Sequence, residues 1–251
     1  MKMSGFVLIE IEDGVCTIIL NKPGKKNALS LELLSDLEQN LEKLQNDEDL
    51  RAVILQGADG SFSVGVDLAD VTGTPADQEI DDRIERVNKL MQSLPVPCLA
   101  AIEGPCVGGA VTVALACDAL VASENSFFEI PATRLGLLYN PGSVAQLHAR
   151  LGSATLTRLL LFGERLNAQT ALQSGMVNWI VPNGSAYEKA LEIISKVANS
   201  TKAVAATKSL ILALEHGQQN LSDFNEIRNE ILSSAERKGA VEKAKKRLGK
   251  K

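Results

Sequence analysis

The chain opens with two short runs of aliphatic and β-branched residues, Phe6–Glu12 and Val15–Leu20, parted by Asp13-Gly14. An Asp-Gly pair between two such runs predicts a β-hairpin. Asn21–Asn27 is polar and carries Pro23 and Gly24, so it reads as a loop. Leucines at 31, 34, 37, 41 and 44 then keep the helical period, which predicts a helix to about Gln45 capped by Ser30. Ala52–Gln56 is continuous and apolar, a buried strand feeding the loop Gly57–Gly65.

A second helix is predicted over Gln78–Ser93, stopped by Pro95 and Pro97. Strand Cys98–Ile102, a glycine-rich turn, a small-residue helix Gly108–Cys117 and strand Ala119–Ala122 follow. This alternation predicts an α/β fold with right-handed crossovers. Beyond Ser143 the pattern is helical, interrupted by Val177–Val181. From Lys189 to Lys251 it reads as amphipathic helices with no strand to cover, and a partner subunit is the natural place for their apolar faces. The expected organisation is a core over 1–195 and a helical region over 196–251.

Composition narrows the function classes. With 45% hydrophobic and 23% charged residues the chain is an ordinary globular one, and 4% aromatics offer little for stacking bases. A net charge of −5 argues against nucleic acid. That charge is uneven, because Lys243–Lys251 carries six basic side chains and no acidic one. Cys16, Cys98, Cys106 and Cys117 form no CxxC and sit in apolar contexts, as buried thiols of a reducing compartment. Two histidines make a His-rich metal site improbable, and none is expected. No signal peptide is evident, and the longest uncharged apolar run, Gly104–Cys117, is too short to span a bilayer. A soluble, cytoplasmic protein without a membrane partner is the expectation.

Two loops carry candidate chemistry. Ser61-Phe-Ser-Val-Gly-Val-Asp67-Leu68 follows a buried strand, and Ile102-Glu-Gly-Pro-Cys-Val-Gly-Gly109 opens a helix. Glycines at a helix start expose N–H groups that have no partner within the helix, and such donors suit an anionic oxygen. A second N–H from Gly65-Val66 at the same point would complete an oxyanion hole. Either loop alone is equally an ordinary tight turn.

Taken together, Asn21-Lys-Pro…Asn27-Ala-Leu29, Phe62-Ser-x-Gly-x-Asp-Leu68, Gly104-x-x-x-Gly-Gly109, Cys117-Asp118 and Ala168-x-x-Ala-Leu-x-x-Gly175-Met-Val-Asn-x-Ile-Val-Pro182 resemble the enoyl-CoA hydratase/isomerase (crotonase) family. The resemblance covers about residues 5–215. It implies a crotonase (ClpP/crotonase-like) spiral of ββα turns with a C-terminal helical trimerisation region, as a homotrimer or dimer of trimers. It implies an acyl-CoA thioester as substrate and no separate cofactor, coenzyme A being part of that substrate. The oxyanion donors would be the N–H groups of Val66 and Gly109. Lys25 and Lys26 would lie by the phosphates of CoA, and Ala28, Ser63, Val64, Asp67 and Leu68 along the substrate, with Asp67 usually read as loop-holding. The family's Phe-containing stretch near the C-terminus is reduced here to Lys238-Gly-Ala-Val-Glu-Lys-Ala-Lys-Lys-Arg247.

The chain departs from the family at its carboxylates. The two hydratase glutamates match Thr112 and Ala132, and a glutamate used by some isomerases matches Asn140. Glu129, Glu103 and Asp67 are the acids near enough in sequence to stand in. Tyr139 lies in Leu135-Gly-Leu-Leu-Tyr139-Asn140, which resembles the loop of methylmalonyl-CoA decarboxylases. The expected activity is therefore enoyl-CoA hydratase/isomerase-like, with ordinary hydration doubtful. The alternatives are a malonyl-type acyl-CoA decarboxylase and a non-catalytic acyl-CoA binding protein.

Overall fold

A computed structural model describes residues 5–197 and 201–248. Lys250 and Lys251 of the basic tail therefore lie outside the described residues. Strands β1 (Val7–Glu12) and β2 (Val15–Leu20) pair antiparallel through Asp13 and Gly14, both at positive φ. A Cβ on Gly14 would stand 2.7 Å from the Asp49 carbonyl oxygen, so the turn admits only glycine there. Ser30 caps helix α1 (Leu31–Leu44) by accepting from the Leu33 N–H, and Leu33, Leu34, Leu37, Leu41 and Leu44 are buried.

Strand β3 (Ala52–Gly57), helix α2 (Gln78–Ser93), strand β4 (Cys98–Ile102), the short strand β5 (Pro105–Val107), helix α3 (Gly109–Leu115) and strand β6 (Ala119–Ser123) follow. Then come β7 (Phe127–Glu129), α4 (Pro141–Leu156), β8 (Leu166–Asn167), α5 (Ala168–Gln173), β9 (Trp179–Val181) and α6 (Ala186–Ser195). The main sheet runs β1-β2-β3-β4-β6-β9, parallel throughout except for the β1–β2 hairpin. Alternate residues face opposite sides. Ile18, Leu20, Val53, Leu55, Ala100 and Ile102 join the core under α1, α2 and α3, while Ile54, Leu99, Ala101 and Val121 face α6. A second sheet, β5-β7-β8, is extended by single bridges Ser63–Cys106 and Leu29–Val66. This is the spiral of strands and helices that the motifs imply.

Three expectations need correction. Helix α3 starts at Gly109 and ends at Leu115, shorter than the span 108–117. The late strand is confined to Trp179–Val181. The helical region after Lys189 was expected to have no strand to cover, yet α6 lays Ala186, Ala190 and Ile194 on the sheet. The sheet has two apolar faces, and α1–α3 cover only one of them.

Helices α7 (Thr201–Glu215), α8 (Ser222–Ser233) and α9 (Ala235–Leu248) come last. Lys208 ties α7 to the core, donating to the Val96 carbonyl at 2.9 Å and pairing with Asp118 at 3.0 Å. No described residue of α8 or α9 is buried. All four cysteines are buried and unpaired, and burial pushes the thiols of Cys16 and Cys98 up to about 12. Among the described residues no helix is long and apolar enough to cross a membrane.

One buried side chain holds three segments of the fold together. Asn27, fully buried and at φ 56°, accepts from the Lys22 N–H and donates to the carbonyls of Ala58 and Ser61. Asn27→Ala should therefore lose about 2–4 kcal/mol, because three backbone groups, one buried and two half-buried, each lose a hydrogen bond and alanine resists the left-handed conformation. Chemical denaturation checks this, and a midpoint unchanged from the parent would contradict it.

Candidate active site

The candidate site is where three loops meet: 22–29 after β2, 57–68 after β3, and 104–109 after β4. Backbone pairing laces them. Phe62 N–H donates to Glu103 O, Ser63 N–H to Pro105 O, and Val107 N–H to Ser63 O. On the other side Leu29 N–H donates to Gly65 O and Asp67 N–H to Leu29 O. The buried Ser63 hydroxyl donates to Asn27 O at 2.7 Å and accepts from Gly65 N–H at 3.2 Å.

This lacing brings the two glycine-bearing turns into contact. Gly65 is at φ +88°, and a Cβ there would stand 2.6 Å from Val107 O. Val66 itself is half-buried. Because its neighbours Gly65 and Asp67 make the bonds to Leu29, its own N–H has no acceptor among the described residues. Gly109 is the first residue of α3, where an N–H has no intrahelical partner, and none is supplied from elsewhere among the described residues. The two expected donors are thus both unpartnered, on turns that touch.

Around them the expected residues divide. Thr112 is fully buried and donates its hydroxyl to Gly109 O at 2.8 Å. The Tyr139 hydroxyl lies within hydrogen-bonding reach of Thr112, and burial raises its pKa well above the ordinary tyrosine value. It stays a neutral hydroxyl at any physiological pH. Ala132 is buried in a tight turn over Ala132–Leu135. Asn140 is committed elsewhere than expected: its side chain caps α4 by accepting from Ser143 N–H at 3.0 Å. Ala28 is buried, and Val64 and Leu68 are exposed.

The three stand-in acids are all engaged. Glu129, expected as a displaced acid in the cleft, is clamped by Arg134 at 2.6 Å and Arg165 at 2.9 Å. Its contribution comes instead through its backbone, whose carbonyl accepts from Gly108 N–H at 2.8 Å. Glu103 accepts from Gly184 N–H and Ala186 N–H at the start of α6, which ties the β4 end to that helix. Asp67 takes Lys25 at 2.9 Å and Lys22 at 3.0 Å. That leaves Lys25, expected on a phosphate, already paired, whereas Lys26 is exposed with no ion pair among the described residues. Sequence reasoning quoted Asn27 as part of a motif but gave it no role. The available signal was its type, since asparagine tolerates positive φ better than most residues.

A cavity of about 390 Å³ lies away from these loops, in the seam between α7 and the core, lined by Pro97, Cys117, Asp118, Arg150 and Lys208 among others. It has none of the unpartnered donors of the loop junction.

A parallel sheet spiralling into a smaller second sheet, with glycine turns meeting at the start of α3, defines a protein of the crotonase class. The enoyl-CoA hydratase/isomerase family pattern matches residues 10–247. The chain is 31% identical over 211 residues to a probable enoyl-CoA hydratase of Mycobacterium tuberculosis, covering 84% of this chain and 80% of that one. It is 35% identical over 214 residues to a putative enoyl-CoA hydratase of Thermus thermophilus, covering 82% and 84%. A solved enoyl-CoA hydratase of Bacillus anthracis superposes with a TM-score of 0.88 at 28% identity, covering 96% of each chain. This chain belongs to the enoyl-CoA hydratase/isomerase family.

Asp67 supplies a pH test of the loop junction. Hydrogen bonds from Lys25 and then Lys22 lower its pKa to about 2 from an ordinary 3.8. A depressed carboxylate stabilises the fold fully above its unfolded pKa, and that stability fades as pH falls from about 4 to 2. Asp67→Asn should cost about 1–2 kcal/mol at pH 7, the exposed Lys25 being screened by solvent, and should flatten the acid limb in that window. Denaturation midpoints measured from pH 7 to 2 check both, and parallel curves for parent and variant would contradict the assignment.

Proposed function

We propose that this chain binds an acyl-CoA thioester and stabilises the enolate oxygen of that thioester between the N–H groups of Val66 and Gly109. The observation that carries the reading is the pair of unpartnered backbone donors on two touching turns. Preorganised donors of this kind stabilise charge that develops in the transition state, and losing one costs about 10²–10³ in rate in well-studied cases. Coenzyme A as the carrier is supported by the family and by relatives named for it, such as the 2,3-dehydroadipyl-CoA hydratase of Escherichia coli, 28% identical over 221 residues. Lys26 is the freer cation for a CoA phosphate, Lys25 being held by Asp67.

The second reading is a malonyl-type decarboxylase, favoured by Tyr139. Loss of CO₂ leaves its bonding electrons as the enolate, so no base is needed to make it. A neutral phenol beside Thr112 is a donor suited to orient the departing carboxylate in a partly dry pocket. Hydration by contrast needs a base and an acid, and positions 112, 132 and 140 hold Thr, Ala and Asn.

The unmodified protein should hydrate crotonyl-CoA very slowly or not at all, and Thr112→Glu with Ala132→Glu should raise that rate. Turnover of crotonyl-, 3-butenoyl- and malonyl-CoA, with calorimetric binding of each, separates the readings. Release of CO₂ selects the decarboxylase, and binding without any turnover selects an acyl-CoA binding protein. Brisk crotonyl-CoA hydration by the parent would overturn the account of the missing carboxylates.

Helices α7–α9 are proposed to pack in a homotrimer or a dimer of trimers. Ile211, Leu214, Leu232 and Val241 are exposed on them, and apolar faces of this kind mark interfaces. Light scattering at micromolar concentration should give three or six times the 26.8 kDa chain mass, and a monomer would refute the assembly.

A further inference from the structure

The enolate of the proposed reaction must exchange a proton at its α-carbon, whichever way it forms, and the three acids expected as stand-ins, Glu129, Glu103 and Asp67, are engaged elsewhere. A half-buried carboxylate near the junction is not. Asp81 lies on α2, three residues before Ile84, and residues three apart share a helix face. Ile84 is the side chain that presses on the oxyanion turn, its Cδ1 lying 2.7 Å from where a Cβ on Gly109 would stand. One turn further on, Glu85 approaches the start of α4, its Cδ 3.5 Å from a Cβ built on Gly142. The Asp81 face of α2 thus borders both α3 and the segment that carries Tyr139, and Asp81 and Tyr139 feel one another electrostatically.

Asp81 is half-buried, and no described residue gives it a hydrogen bond or an ion pair. Its other charged neighbours are occupied, apart from the exposed Asp82. Glu85 pairs with Lys89, Glu38 of α1 pairs with Arg83 and Arg86, and Asp77 accepts from Thr72 and Gly73. Helix α3 carries no titratable side chain. Two turns along the same helix, the buried Asn88 also has its side-chain oxygen without a partner. Asp81 also lies in the first turn of α2, where the helix dipole favours a carboxylate, and its partial burial without a direct partner costs free energy.

We propose that Asp81 is the proton-transfer carboxylate of this site, moving a proton between its own oxygen and the α-carbon of the bound thioester. The inference rests on the acyl-CoA reading above. In the removal direction the Asp81 carboxylate takes the α-proton, and the C–H electron pair becomes the enolate, whose oxygen accepts from Val66 and Gly109 N–H. In the return direction the protonated acid gives the proton back to the α-carbon, the step a decarboxylase needs after CO₂ has left. Burial, then Asp82 and Asp77, raises the Asp81 pKa above the ordinary carboxylate value, which moves the group toward the range where acid–base exchange is efficient.

The test is α-proton exchange of butyryl-CoA in D₂O, followed by proton NMR, with calorimetric binding of the same thioester. Butyryl-CoA has no double bond to hydrate and no carboxylate to lose, so exchange reports the proton step alone. The parent should bind and exchange. Asp81→Asn, nearly isosteric, should bind within about twofold and exchange at least about 100-fold more slowly, and Asp81→Glu should recover part of the rate. The parent rate should rise with pH through an inflection above the usual aspartate value, and that inflection should be absent from Asp81→Asn. Undiminished exchange in Asp81→Asn, or a loss confined to Glu85→Gln, overturns the assignment. Binding without exchange in the parent overturns it too and leaves the acyl-CoA reading standing. Absence of any butyryl-CoA binding overturns that reading itself.

Discussion

The buried amide of Asn27 is the constraint on which the loop junction depends. It closes the turn on its own segment through Lys22 N–H and, through Ala58 O and Ser61 O, fixes the loop that follows β3. Ser63 continues the lacing on the next residues, taking Asn27 O with its hydroxyl and Val107 N–H with its carbonyl. Asn27, Ser61 and Ser63 are buried, so breaking one of their hydrogen bonds leaves a polar group without water to replace the lost partner. Shared partners therefore couple the three loops to one another. That stiffness keeps the Val66 and Gly109 N–H groups from turning toward acceptors of their own, which is what a preorganised donor pair requires.

Charge is distributed around the junction so that most carboxylates are neutralised where they stand. Asp67 has two lysines, Glu129 two arginines, and Glu103 two backbone N–H groups. Each of these pairs ties separate stretches of chain together: 22–25 to 67, 129 to 134 and 165, and 103 to 184–186. Their acids act as fasteners. A group held by two cations is poorly placed to exchange a proton, because protonation would give up both contacts.

The amphipathic part of this architecture was legible in the sequence, and the part built from short-range geometry was not. The leucine ladder of α1, the span of α2 and the apolar strand β4 have the periodicity or continuity that burial imposes. Strands β5, β7 and β8 run three, three and two residues. No period can show in so few positions, and they form only because the lacing of the loops delivers them to one another. Motif order located the loops around Val66 and Gly109. It did not reveal that Glu129 is clamped by Arg134 and Arg165, or that Asn140 caps α4, because both partnerships depend on how the chain folds back. Lys25 reads as a phosphate contact only until Asp67 is seen beside it. The stretch from Lys189 reads as having no strand to cover because an amphipathic helix looks the same whether it covers a sheet or another subunit.

The division between backbone and side chain at this junction separates the groups that hold the loops from the groups that line them. In the proposed reading the oxyanion donors are main-chain N–H groups, positioned by Asn27, Ser63 and the close approach of Gly65 to Val107. None of those constraints involves residue 112 or 132. Thr112 is fully buried, where an ionised glutamate would be costly without compensating partners, and its hydroxyl is satisfied within its own helix turn by Gly109 O. The self-satisfied hydroxyl avoids that cost, and the hydrogen-bonded lacing does not depend on it. The stability of the junction and the identity of its proton-transfer groups are therefore nearly independent. Substitutions at a few lining positions can change which bond is made or broken at the thioester without disturbing the fold that holds it.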